Sequence, residues 1–404
     1  MLLRSRTFML FLAAFSISTM GTAAVPVALS FALLGAGYSA SVIGAVLAAQ
    51  ATPMVLLMLV GGVAGDRWPR RTLMVAADLL RCASQGTIAT LLAIGHPPLL
   101  ALMVLAACGG VGTAFYGPAE SGLIPQVAGA DRIKDANSLI SLSGSLAAIL
   151  GPALGGLLVG LGGASVAIGL DAASYAVSAA CLGMLRLTPH AASPQASLTT
   201  DLRLGWDEFK RHRWLQLLTG QQGVLNLVAF APFFVLGPSL FAAVPDGART
   251  WGLVASATGV GGIVGGLLVL HISIPRPLLA VQFATALLAT PLIMLALHAP
   301  VVLVAFGSAV FGLALTALNI LVQTSLQESI SNHFRSRVSS IFTLMTLGFA
   351  PLGYAFCGPV ANLISPERAL GFGACALLSS VALLLTSRNI TGFTQVRNSP
   401  SRHP

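Results

Sequence analysis

Apolar residues run in long stretches along this chain, and the polar residues between them come in short bursts. Each stretch reaches about 20 residues or more, the length a helix needs to cross the hydrocarbon of a bilayer. The runs predict twelve spans, at approximately 7–34, 39–64, 72–94, 98–118, 136–160, 164–186, 214–243, 250–272, 277–297, 300–326, 336–363 and 368–387. Glycine and proline clusters punctuate them, as at Gly35-Ala36-Gly37, Gly95-His96-Pro97-Pro98, Gly160-Leu161-Gly162-Gly163 and Pro245-Asp246-Gly247. The fold class expected is an all-α membrane protein.

Composition agrees with the pattern. Of 404 residues, 56% are hydrophobic and 8% charged, against about 25% charged in soluble domains. The mean hydropathy is +0.88. The net charge of +9 raises the question of a nucleic-acid partner. The basic residues, however, are spread through the turns, where they set topology, so no nucleic acid is expected. With Met1 on the cytoplasmic side, eighteen Lys and Arg fall on inner segments and only Arg249 and Arg368 on outer loops. Both termini are then cytoplasmic, as in a multi-pass protein of the bacterial cytoplasmic membrane. The basic leader Met1–Arg6 and the run behind it resemble a signal peptide, but the run continues to Leu34, long enough to span, and is read as retained.

The one long connection, Leu187 to His212, divides the chain. Its later part, from Asp201, predicts a surface helix with Leu202, Trp206 and Phe209 on one side and basic groups on the other. Either side of it a polar turn leads into a proline-containing span, with Pro152 in span 5 and Pro351 in span 11, about half a chain apart. Two related halves follow: 1–187 and 214–387, joined by a linker at 188–213 and trailed by 388–404.

The densest charge cluster, Gly62-Val63-Ala64-Gly65-Asp66-Arg67-Trp68-Pro69-Arg70-Arg71, lies between spans 2 and 3. It resembles the span 2–3 loop of the major facilitator superfamily of secondary transporters, with Pro69 where a glycine is usual. Span 5 carries Gly144, Gly151, Pro152, Gly155 and Gly156, which resembles the glycine-proline signature of antiporters in that superfamily. Proline and glycines let a helix bend and pack closely, so Gly144, Gly151, Pro152 and Gly155 are the expected hinge. Glu120 in Tyr116-Gly117-Pro118-Ala119-Glu120, then Asp131 to Asn137 and Asp171-Ala172-Ala173-Ser174-Tyr175, are similar to the efflux branch that includes macrolide-efflux proteins and the enterobactin exporter. Span 4 departs from the proton-coupled drug antiporters in lacking a mid-helix arginine.

The resemblance implies two pseudo-symmetric six-helix halves and an inside gate. Asp66 is expected to face the start of span 11 near Ser336, where a helix dipole favours a carboxylate. Arg70 would pair with acids on nearby spans, and Arg67 and Arg71 complete the basic set. Glu120 and Glu328, at comparable places in spans 4 and 10, are expected to close the same gate. Asp171 lies about 10 Å inside span 6 at 1.5 Å per residue, where an ionisable group marks function; Ser174 and Ser178 share its face. It is the first candidate for proton coupling. Asp78 is the second, although Arg81, three residues on, is placed to neutralise it.

Amide stripes mark the expected substrate cavity: Gln221, Gln222 and Asn226 in span 7, and Asn319 and Gln323 in span 10. Phe230, with Phe233 and Phe234, gives it an aromatic wall. A weakly charged cavity argues against phosphate, dicarboxylate or nucleotide cargo. No P-loop, Cys/His cluster or catalytic triad spacing is present in the sequence, so no enzyme activity, metal or cofactor is expected. The five cysteines read as buried small hydrophobes. The expected protein is a monomeric exporter of small, largely apolar compounds in exchange for protons. An uncoupled facilitator or lipid-type flippase is the alternative within transport, and a membrane scaffold or sensor the alternative outside it.

Overall fold

The computed structural model describes Leu2 and residues 5–95, 97–185, 198–272 and 274–393. Among them every regular element is a helix. The cause is the solvent: in hydrocarbon each backbone N–H and C=O must find its partner within its own segment.

The first half holds α1 (Arg6–Gly35), α2 (Ala40–Arg67), α3 (Arg70–Ile94), α4 (Leu99–Ala128), α5 (Ile133–Gly162) and α6 (Ala164–Gly183). A surface helix, α7 (Leu198–Arg211), follows. In the second half, span 7 is α8 (Arg213–Leu225), a π-helical turn (Asn226–Phe230) and α9 (Ala231–Phe241). Span 8 is α10 (Gly247–His271). Span 9 is α11 (Pro277–Leu287) with α12 (Thr290–Ala296), and span 10 is α13 (Val301–Ser329). Span 11 is α14 (Asn332–Leu347) with α15 (Ala350–Ile364), and span 12 is α16 (Pro366–Leu385). The short α17 (Arg388–Thr391) comes last.

Eleven of the twelve spans are long and apolar enough to cross a membrane. Span 3 is the exception because Asp78 and Arg81 sit inside it, yet α3 runs 25 residues and packs against α4 and α6. The breaks in spans 7, 9 and 11 each have a proline in the first turn after them: Pro232, Pro291 and Pro351. A proline cannot donate to the carbonyl four residues back. Pro152 behaves differently, since α5 is one helix of 30 residues across it.

The two halves repeat one packing scheme. Span 2 lies on span 4 and span 8 on span 10; span 1 lies on span 5 and span 7 on span 11. Glycines set the close approaches: a Cβ at Gly110 would strike the Gln50 backbone, and one at Gly312 the Thr258 backbone. The turns repeat too. Gly95 (φ 93°) ends span 3 and Gly163 (φ 84°) opens span 6, while His298 (φ 51°) and Ser365 (φ 88°) hold those places in the second half.

The halves meet where α5 packs on α10 and α2 on α15. These contacts lie toward the end away from the span 2–3 turn, where Asn362 Nδ2 donates to Ser41 Oγ at 3.1 Å and Gly156 seats against Ala248. At the opposite, basic end a cavity of about 680 Å³ opens between the halves, bordered by Gly62 and Arg70 on one side and Arg337 and Thr343 on the other. The surface helix α7 contributes Leu202 to that cavity and rests on α14, with Gly205 against Arg337 and Ile341. Phe209 is buried and Trp206, stacked on it at 5.6 Å, is exposed. Of the five cysteines expected to be buried only Cys357 is; Cys82, Cys108 and Cys181 are half-buried and Cys375 is exposed.

Candidate functional site

Span 3 carries the first pair of the site. Asp78 is 0% exposed and Arg81 7%, and the two form an ion pair one helical turn apart. Ser178 of α6 donates to the second Asp78 oxygen at 2.6 Å. The guanidinium of Arg81 lies 4.1 Å from the ring centroid of Tyr116 on α4 and 4.5 Å from that of Tyr175 on α6. Tyr175 shares a hydrogen bond of 2.8 Å with Thr22 of α1.

Asp171, 1% exposed, stands within the electrostatic reach of the same Arg81, as does the half-buried Glu120. Ser174 hydroxyl donates to the Asp171 carbonyl at 2.7 Å and lies 3.5 Å from its Oδ1. Gly21 of α1 faces this carboxyl, and a Cβ there would come within 2.6 Å of Asp171 Oδ1. Gly112 likewise leaves the room that the Arg81 stem fills. In the first half, then, acids from three spans lie within the electrostatic reach of one arginine, and only Asp78 pairs with it directly.

The second half holds a neutral counterpart. Gln221 of span 7 donates to Gln282 of span 9 at 2.7 Å, and Gln282 returns the bond at 3.0 Å. Ser380 of span 12 lies 3.5 Å from the Gln221 amide nitrogen. Spans 7, 9 and 12 stand where spans 1, 3 and 6 stand in the first half. Gln221 is thus committed to the core at 4% exposure and does not face a substrate cavity as expected. Gln222 and Asn226 are half-buried, and Asn226 Nδ2 donates to the carbonyls of Gln222 and Thr346 at 2.9 and 3.3 Å. Asn319 and Gln323 are exposed along α13. Phe230 packs on Phe234 at 4.9 Å and on Phe311 at 6.1 Å, while Phe233 is fully buried against Phe311 and Trp251.

At the basic end Arg70 donates to the carbonyls of Gly65 and Gly122, and Arg71 to those of Leu185 and Gly183 at 2.8 and 2.6 Å. Arg71 thereby caps the carbonyl end of α6, the place where a cation is favoured. Arg67 and Glu328 are exposed. The side chains of Asp66 and Ser336 lie outside the described residues. Glu120, one turn beyond Tyr116 on α4, is half-buried and is attracted by the charge of Arg81 and repelled by that of Asp78. In span 5, Gly151 and Gly155 seat on Ala23 and Ala24 of α1, and the Pro152 carbonyl faces Gly252 of α10. Gly144 touches nothing within 4 Å and takes no part in that seam. Sequence reasoning missed the roles of Tyr116 and Tyr175 and the partners Gln282 and Ser380. The one local sign was spacing: Tyr175 follows Asp171, and Tyr116 precedes Glu120, by four residues.

Over residues 2–403 the sequence matches the family described as transmembrane secretion effector. It is 29% identical over 339 residues to the multidrug efflux pump Tap of Mycobacterium tuberculosis, covering 78% of each chain. With the enterobactin exporter EntS of Escherichia coli it shares 25% identity over 351 residues, 85% of this chain and 82% of the other. Among solved structures, the nucleoside transporter NupG superposes with a TM-score of 0.75 at 15% identity, over 94% of this chain and 98% of that one. A bacterial homolog of the human lysosomal transporter Spinster, inward-facing and unoccupied, gives 0.71 at 13% identity over 95% of both. Those two likenesses speak to the fold. The chain is a multi-pass membrane protein of the major facilitator superfamily and belongs to its efflux-type transmembrane secretion effector family.

Proposed function

We propose that this protein exports small, largely apolar compounds, such as drugs, antibiotics or siderophore-like natural products, in exchange for protons. The observation that carries the proton step is the set of buried Asp78, Arg81 and Asp171 with half-buried Glu120, in which acids outnumber the cation. A surplus carboxyl inside a membrane span is costly to leave ionised, so proton gain and loss there are coupled to which end of the cluster meets water. Alternating access follows if halves 1–187 and 214–387 rock about the α2–α15 and α5–α10 seams. In this proposal the contacts away from the basic end open as the cavity at the basic end closes.

The relatives' names supply the support for cargo. Exposed amides at Asn319 and Gln323 need polar surroundings within a bilayer, and in this proposal a wet chamber between the halves supplies them. With Gln222, Asn226 and Phe230 they offer neutral hydrogen bonds and aromatic surface rather than fixed charge. Arg67, Arg70 and Arg71, with Asp66 and Glu328, would shut the basic end, which we place on the cytoplasmic side.

The test uses purified protein in proteoliposomes loaded with a pH-sensitive dye, with a panel of lipophilic antibiotics and dyes added outside. Wild type is expected to move protons against substrate. Asp171→Asn is expected to remain folded and lose substrate-driven proton flux. Substrate movement in wild type without any proton movement would replace this mechanism by the uncoupled facilitator.

A further inference from the structure

Proton exchange among three carboxyl groups does not by itself require an arginine to lie between two tyrosine rings. Here the rings come from different helices, Tyr116 from α4 and Tyr175 from α6, with Arg81 of α3 between them. Ring faces hold a guanidinium through its plane and leave its edge N–H groups free for acceptors. Such a grip restrains position without fixing which carboxylate is met.

The polar atoms nearby fit that role. Arg81 Nε and Asp171 Oδ2 are each buried and have no hydrogen-bond partner among the described residues. Buried polar atoms are ordinarily paired, and a donor and an acceptor in one cluster amount to a second bond left unmade. The titratable and charged groups facing Arg81 are Asp78 from α3, Tyr116 and Glu120 from α4, and Asp171 and Tyr175 from α6; α1 adds the uncharged Thr22 and Gly21. The Gln221–Gln282 pair in the second half uses its amide groups on each other and leaves no such spare set.

We propose that Tyr116 and Tyr175 are positioning residues that let Arg81 change partner, from Asp78 to Asp171, as a proton passes between the two acids. The step balances: Asp78 takes up a proton as the guanidinium leaves it, and Asp171 releases a proton as the guanidinium arrives. The net charge of the cluster is the same before and after. The Tyr175–Thr22 bond ties the cradle to α1, so the exchange pulls on the contact between spans 1 and 6. This rests on the proton-antiport reading above and names the part of the cluster that moves.

The experiment reads the carboxyl groups directly, without substrate. Wild-type protein in lipid nanodiscs is titrated while the infrared band of protonated carboxyl groups is followed, and Asp78→Asn and Asp171→Asn assign the components. Tyr175→Leu, Tyr116→Leu and Arg81→Lys are expected to move the midpoint to higher pH by about one unit, a roughly tenfold change in proton partition for a lost ring–cation contact. Tyr175→Phe and Tyr116→Phe keep the ring faces and are expected to titrate as wild type. Thermal melting of each variant checks that it is folded. Absence of any titrating buried carboxyl in wild type overturns the proton-antiport reading itself. A titrating wild type whose midpoint is unmoved in the folded leucine variants and in Arg81→Lys overturns this proposal and leaves antiport standing.

Discussion

Gln221 shows how a residue type can be right and its role wrong. An amide in a transmembrane span was legible as a polar feature, but its direction was not, because Gln221 and Gln222 are neighbours that point to different sides of one helix. The structure turns Gln221 to Gln282 and leaves Gln222 half-buried. A consequence can be measured. Gln221→Leu alone strands the Gln282 amide in the core and is expected to destabilise by about 1–3 kcal/mol. Adding Gln282→Leu removes both partners and should recover most of the loss, with transport retained; a melting series on the single and double variants decides it. Failure of the double variant to recover would mean that the pair does more than satisfy itself. The same residue scale explains why Asp171 was singled out in the sequence and the place of Tyr175 beside Arg81 was not. A buried acid stands out against an apolar run, whereas a tyrosine among leucines reads as packing until the guanidinium beside it is seen.

Whole spans were easier to find than their interruptions. The apolar runs located each of the twelve spans among the described residues, including α3, whose ion pair lowers its apolar average. They did not reveal the π-helical turn at Asn226–Phe230, since a turn with one extra residue has no compositional mark. Nor could they tell Pro152, within unbroken α5, from Pro351, at the break between α14 and α15; neighbouring packing decides whether a helix breaks. Span 5 offers a contrast of two glycines on one helix. Gly151 lies against Ala23 of α1, so Gly151→Leu should force the α1–α5 seam apart, at about 1–3 kcal/mol for an overpacked side chain, and reduce the yield of folded protein. Gly144 has open space, so Gly144→Ala should be tolerated and gain about 0.5–1 kcal/mol from helix propensity. Equal loss in both variants would show that Gly144 meets a neighbour in the other conformation, as the antiporter-hinge expectation would have it.

The molecule as a whole is one scheme used twice, with chemistry placed in one copy. Helix pairings and the positive-φ turns at Gly95, Gly163, His298 and Ser365 repeat between halves, but where the first half holds buried charges the second holds neutral amides. The proline-bearing spans 5 and 11 already hinted at this repeat in the sequence; the division of labour was hidden, because charge position along a span says nothing about which neighbours receive it. What joins the halves is chiefly two helix pairs, α5 on α10 and α2 on α15. Ser41 and Asn362 touch at the end opposite the basic turn, where Gly358 also lies against Ser41. If transport requires this contact to part, then tying it must stop the cycle with the basic end open. In a background lacking the five native cysteines, Ser41→Cys with Asn362→Cys, joined by a short reducible thiol cross-linker, should abolish transport. Reduction should restore it, and either single variant treated alike should work normally. The 680 Å³ cavity near Arg70 and Arg337 should meanwhile stay reachable, so a thiol introduced at Ser340 should react with a polar maleimide in the tied protein as fast as in the untied one. Full transport by cross-linked protein would mean that the halves need not separate there, and rocking about the two seams could not then be how cargo crosses.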